Sequence, residues 1–96
     1  MITHLVLFKL SDPSPAAIQK TKEVLVNMDG KIPELRSMTV GIDVIRSPRS
    51  YDLALITKFD SVQALQAYQN HPVHQEVLRY IASVKESSIS VDFEET

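Results

Sequence analysis

The chain has no cysteine among its 96 residues, and this absence removes several classes of protein. Without thiols there is no disulfide framework, thiolate metal site, iron–sulfur cluster or cysteine nucleophile. The only two glycines, Gly30 and Gly41, are too few for a G-x-G-x-x-G or Walker phosphate loop. No serine lies in a G-x-S-x-G turn, which excludes an elbow-type serine hydrolase.

An excess of positive charge is also missing. Ten lysines and arginines against twelve aspartates and glutamates give a formal net charge of −2. Nucleic acid is therefore not an expected partner, because phosphate binding requires clustered basic residues. No apolar run approaches the roughly 18 residues of a membrane helix, and residues 1–4 lack the features of a signal peptide. We expect a cytoplasmic protein with no membrane partner.

What remains is the composition of a single globular domain. The chain is 44% hydrophobic and 23% charged, which is ordinary for a folded protein. We expect one domain over residues 1–96. A chain of this size has a modest core, so without disulfides the core must suffice alone or be enlarged by an oligomer interface.

The spacing of apolar residues predicts four strands and three helical segments. The first and third strands are apolar on both faces, which is typical of central strands, whereas the second and fourth are apolar on one face. Ser14 is the expected cap of the first helix, and Asp60 that of the second. The expected strands cover residues 2–10, 35–45, 51–59 and 88–93, and the helices begin at Pro15, near Asp60 and at Pro72.

This order predicts an α+β fold of the ferredoxin-like β-α-β-β-α-β type, with an antiparallel four-stranded sheet and helices on one face. The second helical stretch is divided at Pro72, since the residue before a proline resists the helical conformation. The uncovered face would expose Leu5 and Leu7 or their alternates, and an apolar patch of that kind marks an interface. We therefore predict a homodimer that joins two sheets face to face.

The sequence resembles the stress-responsive A/B barrel domain (Dabb) family of the dimeric α+β barrel proteins. The matching residues are His4 to Lys9, Ile32-Pro33, Gly41, Tyr51 to Leu53, Phe59 and, most distinctively, the segment YQNHPVH at 68–74. The resemblance implies a ferredoxin-like fold whose sheets pair into a dimeric α+β barrel. Some members of the family assemble further into rings.

The same resemblance implies a small-molecule pocket. A plant relative is a polyketide cyclase that performs an aldol condensation without metal or cofactor, and its catalytic His and Tyr match His74 and Tyr68. A histidine on its first strand, near the pocket, matches His4, and His71 lies within the matching segment. The resemblance thus implies that His74 and Tyr68 are catalytic, that His4 and His71 line the pocket, and that no cofactor takes part.

Spacing alone gives each of these residues two interpretations. His74 lies on the apolar stripe of its helix, where it is either a general base near neutral pH or a core histidine with a satisfied hydrogen bond. Tyr68 either holds a substrate oxygen or packs as an aromatic residue. His71 and His74 have a spacing found among metal ligands, but His71 is expected to cap the helix that restarts at Pro72, so we predict no metal site.

Three functions remain open from the sequence. The first is a homodimer with a pocket for general acid–base chemistry on a carbonyl compound, without a cofactor. The second is a structural or stress-protective dimer that performs no chemistry. The third is a cofactor-free monooxygenase of the kind that shares this barrel architecture. Because fold does not determine chemistry, the sequence does not decide whether the protein is an enzyme.

Overall fold

A computed structural model describes residues 1–95, which form one four-stranded antiparallel sheet with three helices. The strand order is β2-β3-β1-β4. The predicted ferredoxin-like α+β fold is therefore confirmed. The elements are β1 (Ile2–Leu10), α1 (Pro15–Val26), β2 (Ser37–Ile42), β3 (Leu53–Phe59), α2 (Val62–Asn70), α3 (Pro72–Val84) and β4 (Lys85–Glu94).

Strands β1 and β3 occupy the centre of the sheet, as their two apolar faces predict. One face packs under the helices, and its buried members include Phe8, Leu55 and Phe59. The other face carries Leu5, which is half-buried and pairs with Ile56. Residues that pair directly across neighbouring strands point to the same side of a sheet, so the pairing register decides which residues of each edge strand join which face.

The two edge strands direct their apolar residues to opposite faces. On β2, Met38, Val40 and Ile42 pack against the core beneath the helices. On β4, Leu5 pairs with Val91, which therefore points away from the helices. The apolar residues of this second face form what we call the open-face patch: Leu5, Leu7, Ile56, Ile89, Val91 and Phe93.

Helix α1 begins as predicted. The Ser14 hydroxyl accepts a hydrogen bond from the N–H of Ala17 at 3.2 Å, and Pro15 occupies the first turn. The helix ends at Val26 with Asn27 as its C-terminal cap. Gly30, in the turn that follows, has a left-handed conformation with φ of +80°. No helix in residues 1–95 is long and apolar enough to cross a membrane.

The prediction that Asp60 caps helix α2 is wrong. The cap is Ser61, whose hydroxyl accepts a hydrogen bond from the N–H of Ala64 at 3.1 Å. Asp60 instead forms an exposed ion pair with Arg36 at 2.6 Å, and the hydrogen bond from Arg36 lowers the pKa of its carboxyl group. Asp60 and Ser61 are adjacent and are both residue types that can cap a helix, but the ion pair with Arg36 occupies the Asp60 side chain.

Strand β2 is shorter than predicted, because polar side chains fold the chain after Ile42 into a loop. Asp43 accepts a hydrogen bond from the backbone N–H of Arg46 at 2.7 Å, and Arg46 has a positive φ of 56°. The buried Asp52 accepts hydrogen bonds from the Arg46 guanidinium at 2.8 Å and from the N–H of Leu10 at 2.7 Å. These contacts tie the loop to the end of β1.

Candidate functional site

A cavity of about 460 Å³ lies between the helices and the β1–β4 half of the sheet. It exists because β4 directs small polar residues, and not its apolar ones, toward the helices. Its apolar wall comes from the core, with Val6, Phe8, Leu55, Val77 and Ile81 among its members. Its polar wall includes His4, Tyr68, His74, Lys85, Ser88 and Ser90. The two walls together suit a molecule with an apolar body and polar ends.

His74 lies in the first turn of α3, and its ring is held by a backbone carbonyl. Its Nδ1 is 3.1 Å from the Gln69 oxygen. Because a carbonyl can only accept, Nδ1 carries a proton, which leaves Nε2 as the free nitrogen. Burial lowers the pKa of His74, the hydrogen bond to Gln69 opposes this shift, and positive charge on His4 lowers the pKa further. His74 is therefore a neutral imidazole with a lone pair at neutral pH.

Tyr68 is completely buried on α2 beneath the cavity. Its ring centroid is 4.4 Å from that of His74 and 4.8 Å from that of Phe59. Burial raises the pKa of the phenol, so the hydroxyl stays protonated and acts as a donor. It donates to the Met28 sulfur at 3.9 Å. A thioether is a weak acceptor, and an oxygen atom of a ligand would be a better one.

His4 faces the cavity from β1 and pairs across the sheet with Asp92 on β4. The His4 Nδ1 donates a hydrogen bond to the Asp92 carboxylate. This contact orients the imidazole, and the other ring nitrogen, Nε2, takes no part in it. The His4 ring centroid is 6.4 Å from that of Tyr68. The structure thus brings His4, Tyr68 and His74 to one end of the cavity.

His71 is the predicted site residue that the structure does not bring to this cavity. It has an extended backbone, with φ of −68° and ψ of 139°, at the junction of α2 and α3. Its Nδ1 accepts a hydrogen bond from the N–H of Val73 at 3.1 Å. His71 therefore serves as the N-terminal cap of α3, which is the local role that Pro72 at the start of the helix predicts.

Sequence reasoning missed the polar residues that β4 contributes to the cavity. Asp92 contacts His4, and Ser88, Ser90 and Lys85 line the wall. Alternation alone separates Ser90 and Asp92 from their apolar neighbours, so their sharing of a face was visible in the sequence. What was missing was the pairing with β1, which shows that this face is the one beneath the helices.

Within residues 1–95, no group of three or more histidine, aspartate or glutamate residues could hold a metal ion. The two histidines with ligand-like spacing each have one ring nitrogen in a hydrogen bond to the backbone. The His71 Nδ1 caps α3, and the His74 Nδ1 bonds to Gln69.

Comparison with known proteins gives one family and several relatives of the same fold. The family described as Stress responsive A/B Barrel Domain matches residues 2–95. An uncharacterised protein of Streptomyces coelicolor is 35% identical over 79 residues, which are 78% of this chain and 80% of the relative.

Two crystal structures of similar chains cover nearly the whole molecule. A dimeric protein of unknown function with a ferredoxin-like fold from Bacteroides fragilis is 30% identical, with a TM-score of 0.83, over 98% of this chain and 95% of that one. A dimeric ferredoxin-like protein of unknown function from Thermobifida fusca is 29% identical, with a TM-score of 0.86, over 98% and 90% of the two chains.

Proposed function

The chain belongs to the stress-responsive A/B barrel domain family, and we propose that it is a homodimer in which each protomer binds a small carbonyl compound in its cavity. The bound molecule undergoes general acid–base chemistry without a cofactor. The observation that carries this proposal is the contact between His74 and Tyr68, whose ring centroids are 4.4 Å apart. One ring offers a free nitrogen and the other a protonated hydroxyl.

These two groups have complementary parts in proton abstraction next to a carbonyl. The His74 Nε2 takes the proton from the carbon, because the ring is neutral at neutral pH. Negative charge then develops on the carbonyl oxygen, and the Tyr68 hydroxyl donates a hydrogen bond to it. The hydroxyl can exchange its weak bond to Met28 for this stronger one, since a methionine side chain moves at low cost.

The second imidazole, His4, supports the same chemistry. Asp92 accepts from its Nδ1 and fixes the orientation of the ring. A positive charge on His4 lowers the pKa of His74, so protonation of one ring disfavours protonation of the other. A proton taken by His74 has a second acceptor nearby on the wall of the same cavity.

The homodimer in this proposal rests on the open-face patch. Ile89 is 52% exposed, Val91 51% and Phe93 43%, on the side of the sheet that has no helices. A monomer would leave these residues and their neighbours in water, which is unfavourable for a patch of this kind. The relatives from Bacteroides fragilis and Thermobifida fusca are described as dimeric, which supports pairing of two copies here.

Deuterium exchange into a ketone tests the chemistry directly. The protein is incubated in D2O with 4-phenylbutan-2-one, and loss of the signals of the protons next to the carbonyl is followed by NMR. We expect His74→Ala and Tyr68→Phe each to slow the catalysed exchange about 100-fold. The matched control is His71→Asn, which removes an imidazole from the same segment but keeps a capping acceptor.

The outcomes separate the candidate functions. Exchange in His74→Ala at the wild-type rate overturns the assignment of the base. No exchange above the buffer rate with the wild-type dimer, together with no shift of its melting temperature by a panel of aryl ketones, overturns the proposal. That result favours the structural dimer without chemistry.

A further inference from the structure

The end of the cavity away from His4 carries a lysine. Lys85 pairs with Leu10 at one end of β1, whereas Asp92 pairs with His4 near the other end. The Lys85 Nζ donates a hydrogen bond to the Ser88 hydroxyl at 3.3 Å, so its charge lies at the Ser88 end of the wall. Ser88 is four residues before Asp92, or about 13 Å along an extended strand.

Lys85 has no negative partner among the described residues. No carboxylate in residues 1–95 lies within 4.0 Å of its Nζ, and its hydrogen-bond partner is a neutral hydroxyl. The other lining residues able to carry a charge at neutral pH are the imidazoles of His4 and His74. His4 is already paired with Asp92, and His74 is neutral, so Lys85 supplies the uncompensated charge of the cavity.

The walls between the two ends are apolar on the helix side. Val77, Leu78 and Ile81 line the cavity from α3 and face Ser88 and Ser90 across it. A ligand that extends from one end of the cavity to the other has an apolar body between two polar ends. An anionic group is the chemistry that complements a free ammonium beside a hydroxyl.

We infer that the ligand is an elongated amphipathic carboxylate, or a similar monoanion, whose charged group is bound by Lys85 and Ser88. This inference rests on the proposed function, because the opposite end of the molecule is the carbonyl held by Tyr68 and His74. The rows of the sheet that hold His4 and Ser88 are about 13 Å apart along the strands, so a ligand that occupies both ends has about that length. Short acids are thus too small to occupy both ends.

A structural role for Lys85 makes a different prediction. Lys85 is also the C-terminal cap of α3, where a positive charge interacts favourably with the last carbonyl groups of the helix. If that were its only role, replacing it would change the stability of the protein and leave ligand discrimination untouched. The experiment therefore has to compare a charged and a neutral ligand of the same shape.

Decanoate and 1-decanol form such a pair. Each is used to displace the neutral fluorescent probe N-phenyl-1-naphthylamine from the full-length protein. We expect Lys85→Gln to weaken binding of decanoate about fivefold relative to 1-decanol, the size expected for one partly exposed ion pair. The control Lys22→Gln removes an equal charge from α1, outside the cavity, and should leave the ratio unchanged.

A further variant tests whether the fluorescent probe binds in the cavity. Ser90→Phe narrows the cavity wall and should weaken binding of the probe and of both competitors. An unchanged ratio of decanoate to 1-decanol in Lys85→Gln, with Ser90→Phe still effective, overturns the anion subsite and leaves the acid–base proposal standing. Binding that Ser90→Phe does not affect lies outside the cavity and overturns the inference. The ketone exchange test of His74 separately decides the proposed function.

Discussion

The two edge strands of the sheet have the same alternating pattern and use it in opposite ways. Strand β2 directs Val40 toward the helices and Thr39 toward the open face, whereas β4 directs Ser90 toward the helices and Val91 toward the open face. The core is filled beneath β2 and hollow beneath β4. The cavity and the open-face patch thus have a single origin.

This difference teaches that an edge strand can create a cavity when its apolar side chains point away from the core. Apolar residues that leave the helix side of β4 remove volume from that side and add apolar surface to the other. Small polar residues take their place, and they leave room and hydrogen-bonding groups next to His4. The same alternation on β2 gives a closed core, because there the apolar residues lie beneath the helices.

The largest expected effect comes from placing a charge on each edge strand at the open face. Val91→Asp should raise the dissociation constant of the dimer about 100-fold, because it removes an apolar side chain and leaves a carboxylate unpaired in the interface. Thr39→Asp places the same charge in the same cross-sheet row, but outside the patch. Sedimentation velocity at micromolar concentration should find Val91→Asp monomeric and Thr39→Asp dimeric. Equal behaviour of the two variants would contradict the assignment of the interface.

A smaller effect is expected from exchanging the helix-facing residues of the two strands. Val40→Ser should lower the free energy of unfolding by about 1 kcal/mol, because a half-buried side chain loses apolar contacts in a filled region. Ser90→Val should leave this free energy nearly unchanged, since residue 90 lies at the open side of the cavity. Urea denaturation measures both values. If Ser90→Val were as destabilising as Val40→Ser, the two sides would not differ in packing.

The smallest effect is the pH dependence contributed by the cavity side. Burial lowers the pKa of His74, so the folded protein resists a proton that the unfolded chain accepts. The free energy of unfolding should therefore fall as the pH decreases below 6.5, the ordinary value of this group. The helix-facing residues of β2 include no titratable group, so that side of the sheet contributes no such pH dependence. Denaturation at a series of pH values should show a shallower slope for His74→Gln, and an identical slope would contradict the lowered pKa.

The distinction between central and edge strands could be predicted from the sequence, because apolar residues on both faces require cover on both sides. Which face of β4 points toward the helices could not be predicted, since alternation separates two faces but does not say which one lies beneath the helices. The pairing of Leu5 with Val91 settles this, and the two residues are far apart in the chain. The cap of α2 was mispredicted for a similar reason, because Arg36 engages Asp60 from a distant segment.

The residues of the candidate site also differ in how far the sequence could predict them. Tyr68 and His74 lie on either side of Pro72, and their ring centroids are 4.4 Å apart. Asp92 meets His4, and Ser88 and Ser90 come to line the cavity, through the pairing of β4 with β1. The family resemblance pointed to Tyr68, His74 and His4, which line the cavity, whereas the β4 residues of its wall were not identified from the sequence.

Helix α3 ends at Val84 and strand β4 begins at Lys85, with no residue between them. The N–H of Lys85 still donates to the Ile81 oxygen, and the Val84 oxygen accepts from the N–H of Ser11. One continuous segment therefore forms a wall of the cavity and, immediately afterwards, an edge of the open-face patch. There is no hinge to absorb a displacement, so a movement of α3 that widened the cavity would also shift the strand that carries Ile89, Val91 and Phe93 of the open-face patch, the surface proposed to join two protomers.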